Sequence, residues 1–228
     1  MDERKREITR LVYDKGRVSV KDLAKTLYVT EMTIRRDLTE LERMGYIKRY
    51  RGGAVPVQTE GNLPAEERFF VEEEEKKALG LKASKYLGDN MSVFIDSSTT
   101  CQYVIPHIAK YDNIRIFTNS VGALMTASRY NIPCTLLGGD YYQRDRCLVG
   151  PVAILQGGSL NVDVLFFSTL GITEDGIISD NDLEQCAVRQ AVMKNADKVV
   201  CLMEKGKVGA KYLYTLCKKE DIIVIFPD

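Results

Sequence analysis

The chain has 228 residues, of which 45% are hydrophobic and 28% charged, and its 32 basic and 32 acidic residues give a net charge of zero. This composition is typical of a folded globular protein, and the length allows one large domain or two modest ones. No apolar run approaches the roughly 20 residues that span a bilayer, and the first ten residues lack the apolar core of a signal peptide. We therefore expect a cytoplasmic protein with no membrane partner.

The six cysteines are scattered, and no two of them form a C-x-x-C pair. This spacing argues against a zinc ribbon and against a disulfide framework, and it favours reduced, mostly buried thiols. We expect no metal ion and no cofactor.

The basic and acidic residues are unevenly distributed along the chain. Residues 1–56 hold 14 basic and 9 acidic residues, which leaves 18 basic and 23 acidic residues for the remainder. Such an imbalance can arise by chance, but a small basic segment joined to a larger acidic one is also typical of a nucleic-acid-binding domain attached to a second domain.

The chain starts with two short amphipathic helices. In the first, over residues 4–15, the side chains of Ile8, Leu11 and Val12 share one face, and Gly16 is expected to end the helix. A short extended piece over 18–20 precedes the second helix, which is predicted over 21–28.

Residues 30–44 form the most informative helix of the sequence. Its apolar stripe recurs at three- and four-residue steps and consists of Ile34, Leu38 and Leu41. Thr30 is suited to cap the start of the helix and Gly45 to end it. Arg35 and Arg36 project away from the stripe, and the planar fork of arginine matches guanine edges and phosphates. As the second of two helices joined by a tight turn, it is interpreted as a DNA-recognition helix.

A β-hairpin, or wing, is predicted directly after this helix. Residues 46–51 alternate apolar or aromatic with basic side chains, and Gly52-Gly53 ends the run. The basic side chains of Lys48, Arg49 and Arg51 can contact phosphates, which positions a protein on DNA without reading its sequence.

Residues 17–55 closely resemble the winged helix-turn-helix of DeoR-type bacterial transcriptional regulators. The most specific parts are V-x-x-x-T-I-R-R-D-L over 29–38 and R-x-R-G-G-A-V over 49–55. The resemblance implies double-stranded operator DNA as a partner, whereas the alternative is that the arginines are solvated surface charges. The expected DNA-binding residues are Thr30, Thr33, Arg35, Arg36, Lys48, Arg49 and Arg51.

A linker is predicted between two domains. The stretch after residue 55 contains Pro56, Gly61 and Pro64 and lacks a clean apolar period. The acidic run over 72–75 is interpreted as the first turn of the next helix, where the helix dipole favours negative charge, rather than as an acidic interaction site. We predict a DNA-binding domain over 1–57, a linker over 58–75 and an effector-sensing domain over 76–228.

Strand and helix patterns alternate from residue 91 onward. Short apolar runs predict strands over 92–95, 114–117, 135–137, 162–167, 199–203 and 222–226. Helical patterns occur over 76–87, 102–109, 121–129, 183–196 and 211–216. The alternation predicts an α/β domain with a largely parallel, Rossmann-like sheet, in which ligands bind beyond the carboxyl ends of the strands.

Small polar residues follow the first three predicted strands, at 96–100, 118–120 and 138–140. The first of these turns, DSSTT, leads directly into a helix. Hydroxyl groups and backbone N–H groups at a helix start favour an anion such as phosphate, although Ser and Thr also cap helices without binding a ligand. Three such strand ends favour a ligand site.

The same segments resemble the effector domain of DeoR-type regulators. The matching parts are D-S-x-T-T at 96–100, T-N-S at 118–120, L-G-G at 137–139 and V-G-P at 149–151. The resemblance implies the fold of ribose-5-phosphate isomerase and a phosphorylated sugar as effector. The chain departs from the family pattern in three places. Ser98 stands where Gly is usual, and residues 167–171 differ from the usual motif. Glu-Lys-Gly at 204–206 replaces Asp-Ser-Ser, before the family lysine at Lys207. The expected effector-binding residues are Asp96, Ser97, Ser98, Thr99, Thr100, Asn119, Ser120, Gly138, Gly139, Glu184 and Lys207.

Two other functions compete with a sugar-phosphate sensor. An aldose–ketose isomerase would need a carboxylate base and a lysine partner, and Asp96, Glu184 and Lys207 are the candidates for these roles. A fused DNA-binding domain has no use in such an enzyme, and a fold does not bring its chemistry with it, so we expect no catalytic residue. The family departures near 168–170 and 205–206 also allow a constitutive DNA-binding protein whose effector pocket has decayed.

We therefore predict a sequence-specific transcriptional regulator of carbohydrate metabolism. The family default is a repressor that a phosphorylated sugar releases from DNA, although no residue fixes the sign. A homo-oligomer, a dimer or a tetramer, is expected to present paired recognition helices to a repeated or palindromic operator, because symmetric sites mirror symmetric proteins.

Overall fold

A computed structural model of the chain describes residues 2–57, 63 and 65–228. The chain divides into a first unit that extends to Glu73 and a second unit over Glu74–Asp228. Gly61 and Pro64 of the predicted linker lie outside the described residues.

The first unit is a winged helix-turn-helix, as the sequence predicts. Its elements are α1 (Glu3–Lys15), β1 (Val18–Ser19), α2 (Val20–Thr26), α3 (Glu31–Arg43), β2 (Ile47–Tyr50), β3 (Gly53–Pro56) and α4 (Ala65–Arg68). The strands form an antiparallel sheet in the order β1-β3-β2. One apolar cluster holds the helices and the wing together, and it includes Ile8, Val12, Leu23, Ile34, Leu38, Leu41 and Ile47.

The helix ends agree with the predicted caps. The hydroxyl of Thr30 accepts a hydrogen bond from the backbone N–H of Thr33, and Gly16 and Gly45 adopt positive φ angles of 69° and 79° after α1 and α3. The second helix is shorter than predicted. It ends at Thr26, and Tyr28 has a left-handed φ of 54°, which no α-helix can continue through.

The segment before the second unit contains a short helix and several buried residues. Leu63, Ala65 and Val71 are buried, and Ala65 is the first residue of α4. The acidic run then enters α5, which starts at Glu73, in agreement with its interpretation as the first turn of a helix.

The second unit is built around a parallel sheet. Its elements are α5 (Glu73–Ala83), β4 (Ser92–Ile95), α6 (Ile105–Ile108), β5 (Arg115–Thr118), α7 (Val121–Arg129), β6 (Cys134–Leu136), β7 (Asp140–Tyr142), β8 (Cys147–Val149), α8 (Gly150–Gly158), β9 (Val162–Phe167), β10 (Gly171–Ile172), β11 (Ile177–Asp180), α9 (Leu183–Met193), β12 (Ala196–Leu202), β13 (Tyr214–Lys218) and β14 (Ile223–Ile225). Six strands pair in the order β14-β12-β9-β4-β5-β6, and every pair is parallel. Two apolar clusters cover the two faces of this sheet, with Ile95 and Phe166 in one and Phe94 and Leu165 in the other. The six predicted strands are all present, with ends displaced by at most three residues.

Some predictions for the second unit are wrong. Residues 211–216 do not form a helix, because Tyr214–Lys218 is a strand that pairs with β11 in a small antiparallel sheet. The helix predicted over 102–109 is a 3₁₀ turn at Cys101–Val104 followed by the short α6. The helix predicted over 183–196 ends at Met193, since Ala196 already belongs to β12. The sequence reading also missed α8 and the β7–β8 hairpin, which are short and weakly patterned.

Candidate functional site

The exposed face of α3 carries the two predicted arginines. Because Ile34, Leu38 and Leu41 are fully buried, the opposite side of this helix points into solvent, and Arg35 and Arg36 are both exposed there. The guanidinium of Arg35 donates a hydrogen bond of 2.7 Å to a carboxylate oxygen of the preceding Glu31. The face is therefore basic but partly neutralised by its own first turn.

Thr30 caps α3, and Thr33 in the first turn of the helix is bonded to it. The hydroxyls of Thr30 and Thr33 lie 2.9 Å apart, and that of Thr30 accepts from the Thr33 backbone N–H at 3.2 Å. Their contribution to DNA binding stays a prediction, since the geometry already gives both hydroxyls a structural role.

The wing is tied to α3 by one of its basic residues. The backbone N–H of Arg49 donates to Glu42 at 2.8 Å, and the Arg49 guanidinium donates to the hydroxyl of Thr39 at 2.5 Å. Lys48 and Arg51 are exposed, the latter in the turn of the hairpin. A further basic residue, Arg17, was not predicted from the sequence to belong to this surface. Its guanidinium lies 4.2 Å from the ring centre of Tyr50, which is on the wing.

A buried carboxylate fixes α3 from behind. Asp37 is 1% exposed and accepts hydrogen bonds of 2.6 and 3.3 Å from the guanidinium of Arg4 on α1. Lys5 of α1 also lies 2.7 Å from Glu40 of α3. These pairs hold the recognition helix against the first helix, so its basic face is presented in one orientation.

In the second unit, the predicted phosphate turn follows β4. Asp96, Ser97, Thr99 and Thr100 are buried, and Ser98 is half-buried. The Asp96 carboxylate accepts from the backbone N–H of Ser98 at 2.9 Å, and the hydroxyl of Ser98 accepts from the N–H of Cys101 at 3.1 Å. The turn is thus closed by its own side chains, with Ser98 at the position where the resemblance predicts glycine.

A buried arginine that the sequence reading missed anchors this turn. The Nε atom of Arg189 on α9 donates to Asp96 at 2.9 Å, and its Nη1 atom donates to Asp180 at 2.8 Å. Burial raises the pKa of Asp180, but the facing guanidinium more than offsets this and lowers it below the ordinary value. Burial lowers the pKa of Arg189, yet the two carboxylates raise it above its ordinary value.

Gln185, one helical turn before Arg189, extends the same cluster. Its amide oxygen accepts from the Ser97 hydroxyl at 2.7 Å, and its amide nitrogen donates to the buried carboxylate of Asp145 at 2.6 Å. Glu184, the residue predicted from the sequence, is exposed on the first turn of α9, whereas its neighbour Gln185 is buried in the cluster.

Glu204 is a further buried carboxylate, and two lysines lie against it. One oxygen of Glu204, which is fully buried, accepts from the Thr100 hydroxyl at 2.5 Å and from Lys207 at 2.6 Å. The other oxygen lies 3.7 Å from the ammonium of Lys76 and accepts no hydrogen bond from the described residues. Burial raises the pKa of Glu204, but Lys207 and Lys76 outweigh this effect and lower it to about 2.

Lys207 and Asp96 are connected through the residue after β9. The ammonium of Lys207 lies 3.3 Å from the hydroxyl of Ser168, and the backbone N–H of Ser168 donates to Asp96 at 3.4 Å. Ser168 belongs to the segment that departs from the family pattern. It joins the Asp96 and Glu204 clusters into one buried polar network around the turn at 96–100.

The other predicted effector residues have structural roles in the next two strand ends. The side chain of Asn119 donates to the carbonyl of Leu148 on β8 at 3.0 Å, and Ser120 caps α7. The N–H of Gly138 donates to Gln156 of α8 at 2.7 Å. Gly139 has a φ of 143°, and a Cβ there would lie 2.4 Å from a backbone oxygen. Whether these residues also contact an effector stays a prediction.

The missed residues leave a signal in the sequence. Gln185 and Arg189 share the buried stripe of α9 with Val188 and Val192, and Lys76 lies on the stripe of α5 three residues before Leu79. A charged side chain in an apolar stripe requires a buried partner, so each of these positions points to a polar cluster.

Two wider properties of the molecule bear on the site. Across residues 2–57, 63 and 65–228, no three His, Cys, Asp or Glu side chains are grouped as metal ligands would be. No helix in the described part of the chain combines the length and apolarity needed to cross a membrane.

Comparisons with known proteins match both units. A family model of the DeoR-like helix-turn-helix domain matches residues 4–60, and a model of the DeoR C-terminal sensor domain matches residues 71–228. The chain is 32% identical to the HTH-type transcriptional regulator GlpR of Haloferax volcanii, over 99% of this chain and 89% of that protein. It is 27% identical to the glycerol-3-phosphate regulon repressor of Escherichia coli, over 99% and 90%, and 29% identical to the HTH-type transcriptional repressor GlcR of Bacillus subtilis, over 93% and 83%.

Among solved structures, a D-ribose-5-phosphate isomerase in complex with phospho-erythronic acid is similar to part of the chain. The TM-score is 0.46 and the sequence identity 17%. The similarity covers 60% of this chain and 54% of the isomerase, about half of its length.

Proposed function

This chain belongs to the DeoR family of DNA-binding transcriptional regulators, and on that premise we propose that it represses an operon of carbohydrate metabolism until a phosphorylated sugar or polyol binds its sensor domain. We propose functional boundaries at residues 1–57 for DNA binding, 58–75 for the linker and 76–228 for sensing. The protein acts in the cytoplasm as a homo-oligomer, a dimer or a tetramer, on a two-fold or repeated operator.

The observation that supports DNA recognition through α3 is the division of this helix into two faces. Three fully buried apolar residues fix one face, and the opposite face offers Arg35 and Arg36 to the major groove. Replacement of either arginine by Ala is expected to weaken operator binding by about 1–3 kcal/mol if it makes a bidentate base contact. Lys15→Ala, which removes an exposed cation at the end of α1, is the matched control. Unchanged operator affinity in both arginine variants would contradict the proposal.

The observation that supports a phosphate effector is the convergence of donors on Glu204. Thr100, Lys207 and Lys76 all face this one carboxylate beside a hydroxyl-rich turn at the start of a helix. Phosphate is recognised by the same kinds of group, a hydroxyl and ammonium ions. A phosphoryl group bound beside Thr100 would compete with Glu204 for these donors. The relative whose name refers to a glycerol-3-phosphate regulon supports a small phosphorylated polyol or sugar as the class of ligand.

We also propose that the sensor domain has no catalytic activity. Both oxygens of Asp96 are engaged, one by the Ser98 N–H and one by Arg189, and Glu184 is exposed away from this cluster. A general base for isomerisation must reach a substrate proton, which an Asp96 held in this way is poorly placed to do. The names of the relatives as regulators and repressors support the same conclusion. Incubation with ribose 5-phosphate and detection of any ketose formed tests it.

Differential scanning fluorimetry with phosphorylated sugars, glycerol phosphate and their unphosphorylated counterparts tests the sensor assignment. A ligand at about 100 times its dissociation constant is expected to stabilise the native state by about 2.7 kcal/mol. Lys207→Ala should remove the shift, whereas Lys205→Ala, at an exposed lysine two residues away, should keep it. An absence of shifts across the panel would instead support a constitutive DNA-binding protein with a decayed pocket.

A further inference from the structure

Two apolar side chains stand out at the start of the recognition helix. Tyr28 is 95% exposed and Met32 is 79% exposed, and no other large apolar side chain in the described part of the chain is as exposed as these two. They lie four residues apart, whereas the other exposed apolar side chains of the first unit, Met44 and Phe70, are less than half as exposed as Tyr28. Single exposed apolar residues are ordinary on protein surfaces, but a cluster beside a binding surface marks a contact.

Met32 shares the solvent face of α3 with the arginines. It precedes Arg35 and Arg36 by three and four residues, which places the three side chains next to one another on a helix. The same spacing puts Met32 opposite the buried stripe that contains Ile34. The first residues of a recognition helix are those that reach base edges in the major groove, and Met32 is the second residue of α3.

The chemistry of Met32 selects one base. The only apolar group that the four base pairs present in the major groove is the C5 methyl group of thymine. A thioether side chain is flexible and polarisable and packs well against such a group, whereas it can offer no hydrogen bond donor to guanine or adenine. Contact with DNA would also cover apolar surface that water otherwise hydrates.

Tyr28 shows strain as well as exposure. Its φ of 54° lies in the left-handed region, which is unfavourable for a bulky side chain and is normally occupied by Gly or Asn. Strained conformations of this kind cluster at functional sites. A tyrosine in the turn between α2 and α3 can place its ring and hydroxyl against the sugar–phosphate backbone beside the groove that α3 enters.

We propose that Met32 and Tyr28 form an apolar DNA contact, in which Met32 reads a thymine methyl group and Tyr28 packs on the adjacent backbone. This inference rests on the proposed operator binding. It adds a base preference that the arginines cannot supply, because guanidinium groups recognise guanine and phosphate.

Selection of high-affinity duplexes from a randomised DNA library, followed by single replacements of thymine by deoxyuridine, tests the base contact. Deoxyuridine removes only the methyl group, and the wild-type protein should lose about fourfold in affinity at one thymine of each half-site, the effect of one buried methyl-sized group. Met32→Ala should lose a similar factor on the thymine duplex and show no further loss on the deoxyuridine duplex, as expected for two groups in contact. Met44→Ala, at an exposed methionine that caps the other end of α3, is the matched control and should keep the deoxyuridine effect.

Tyr28→Gly tests the second contact, because glycine relieves the left-handed strain. The variant should melt at the same or a higher temperature and yet bind the selected duplex several-fold more weakly. Unchanged duplex affinity in Tyr28→Gly, or an unchanged deoxyuridine effect in Met32→Ala, would overturn the inference while leaving the arginine contacts intact. If the wild-type protein enriches no sequence at all, the proposed operator binding fails together with the inference.

Discussion

Arg189 of α9 donates a hydrogen bond of 2.9 Å to Asp96, the first residue of the turn after β4, and both side chains are buried. The pair joins a helix to the loop that carries the predicted effector residues, over 93 positions of the chain. The shape of that loop therefore depends on α9 as much as on its own hydroxyl groups.

Replacement of Arg189 by Ala would leave Asp96 and Asp180 as buried carboxylates without their cation. Loss of one partner of a buried ion pair costs about 3–5 kcal/mol, so we expect a lower midpoint of urea unfolding for Arg189→Ala. Lys194→Ala, at an exposed lysine at the end of the same helix, should change it little. Equal stability of the two variants would mean that the buried pairs are not formed.

Replacement of Glu204 by Gln should reduce stability at neutral pH, because Lys207 and Lys76 would lose their shared carboxylate. The pKa of Glu204 is lowered from 4.5 to about 2 in the folded protein, so its ionised form stabilises the fold above its unfolded pKa. That contribution, on the order of 3 kcal/mol, is lost as the pH falls from about 4.5 towards 2. The difference in unfolding free energy between the wild type and Glu204→Gln should therefore shrink across this interval. A difference that stays constant with pH would contradict the assignment.

Only part of the buried polar network around Asp96 and Glu204 can be predicted from the sequence. The turn at 96–100 and Lys207 could be found because they follow a strand or match a family pattern, and periodicity located all six strands of the parallel sheet. The partners of these residues could not be found in this way, because Arg189 and Glu204 reach the turn from positions about 90 and 104 residues further along the chain. Pairing over such distances depends on tertiary packing. The strand at 214–218 cannot be recognised from its pattern, because it lies at the edge of a small sheet beside β11 and is only partly buried.

The ion pair between Arg35 and Glu31 is expected to moderate DNA affinity. Glu31→Gln removes the carboxylate that holds the Arg35 guanidinium at 2.7 Å and also a negative charge from the helix that is proposed to enter the major groove. Duplex affinity should rise, and the decrease of affinity with salt should become steeper. Glu7→Gln, which breaks a half-buried pair with Arg10 on α1, away from α3, is the control. Weaker binding by Glu31→Gln at low salt would show that the carboxylate itself serves recognition.

The cysteine thiols should be unreactive in the folded protein. Burial raises the pKa of Cys134 and Cys186 to about 11 and that of Cys147 to about 12, so little thiolate is present near neutral pH. A disulfide reagent such as Ellman's reagent at pH 8 is expected to modify these three residues rapidly only after denaturant is added. Rapid modification of Cys147 or Cys186, which are buried, in the native protein would indicate local opening of the second unit.

The most direct test of the account is the affinity of a selected operator duplex, measured by fluorescence anisotropy with and without the phosphorylated ligand found by thermal shift. The account predicts that the ligand weakens DNA binding of the wild-type protein by a factor set by its differential affinity for the free and DNA-bound forms. Lys207→Ala should bind the duplex with wild-type affinity, and the ligand should not change that affinity. Arg36→Ala should bind the duplex weakly and still be stabilised by the ligand. A ligand that stabilises the protein and leaves operator affinity unchanged would contradict the claim that one chain couples sugar-phosphate sensing to DNA binding.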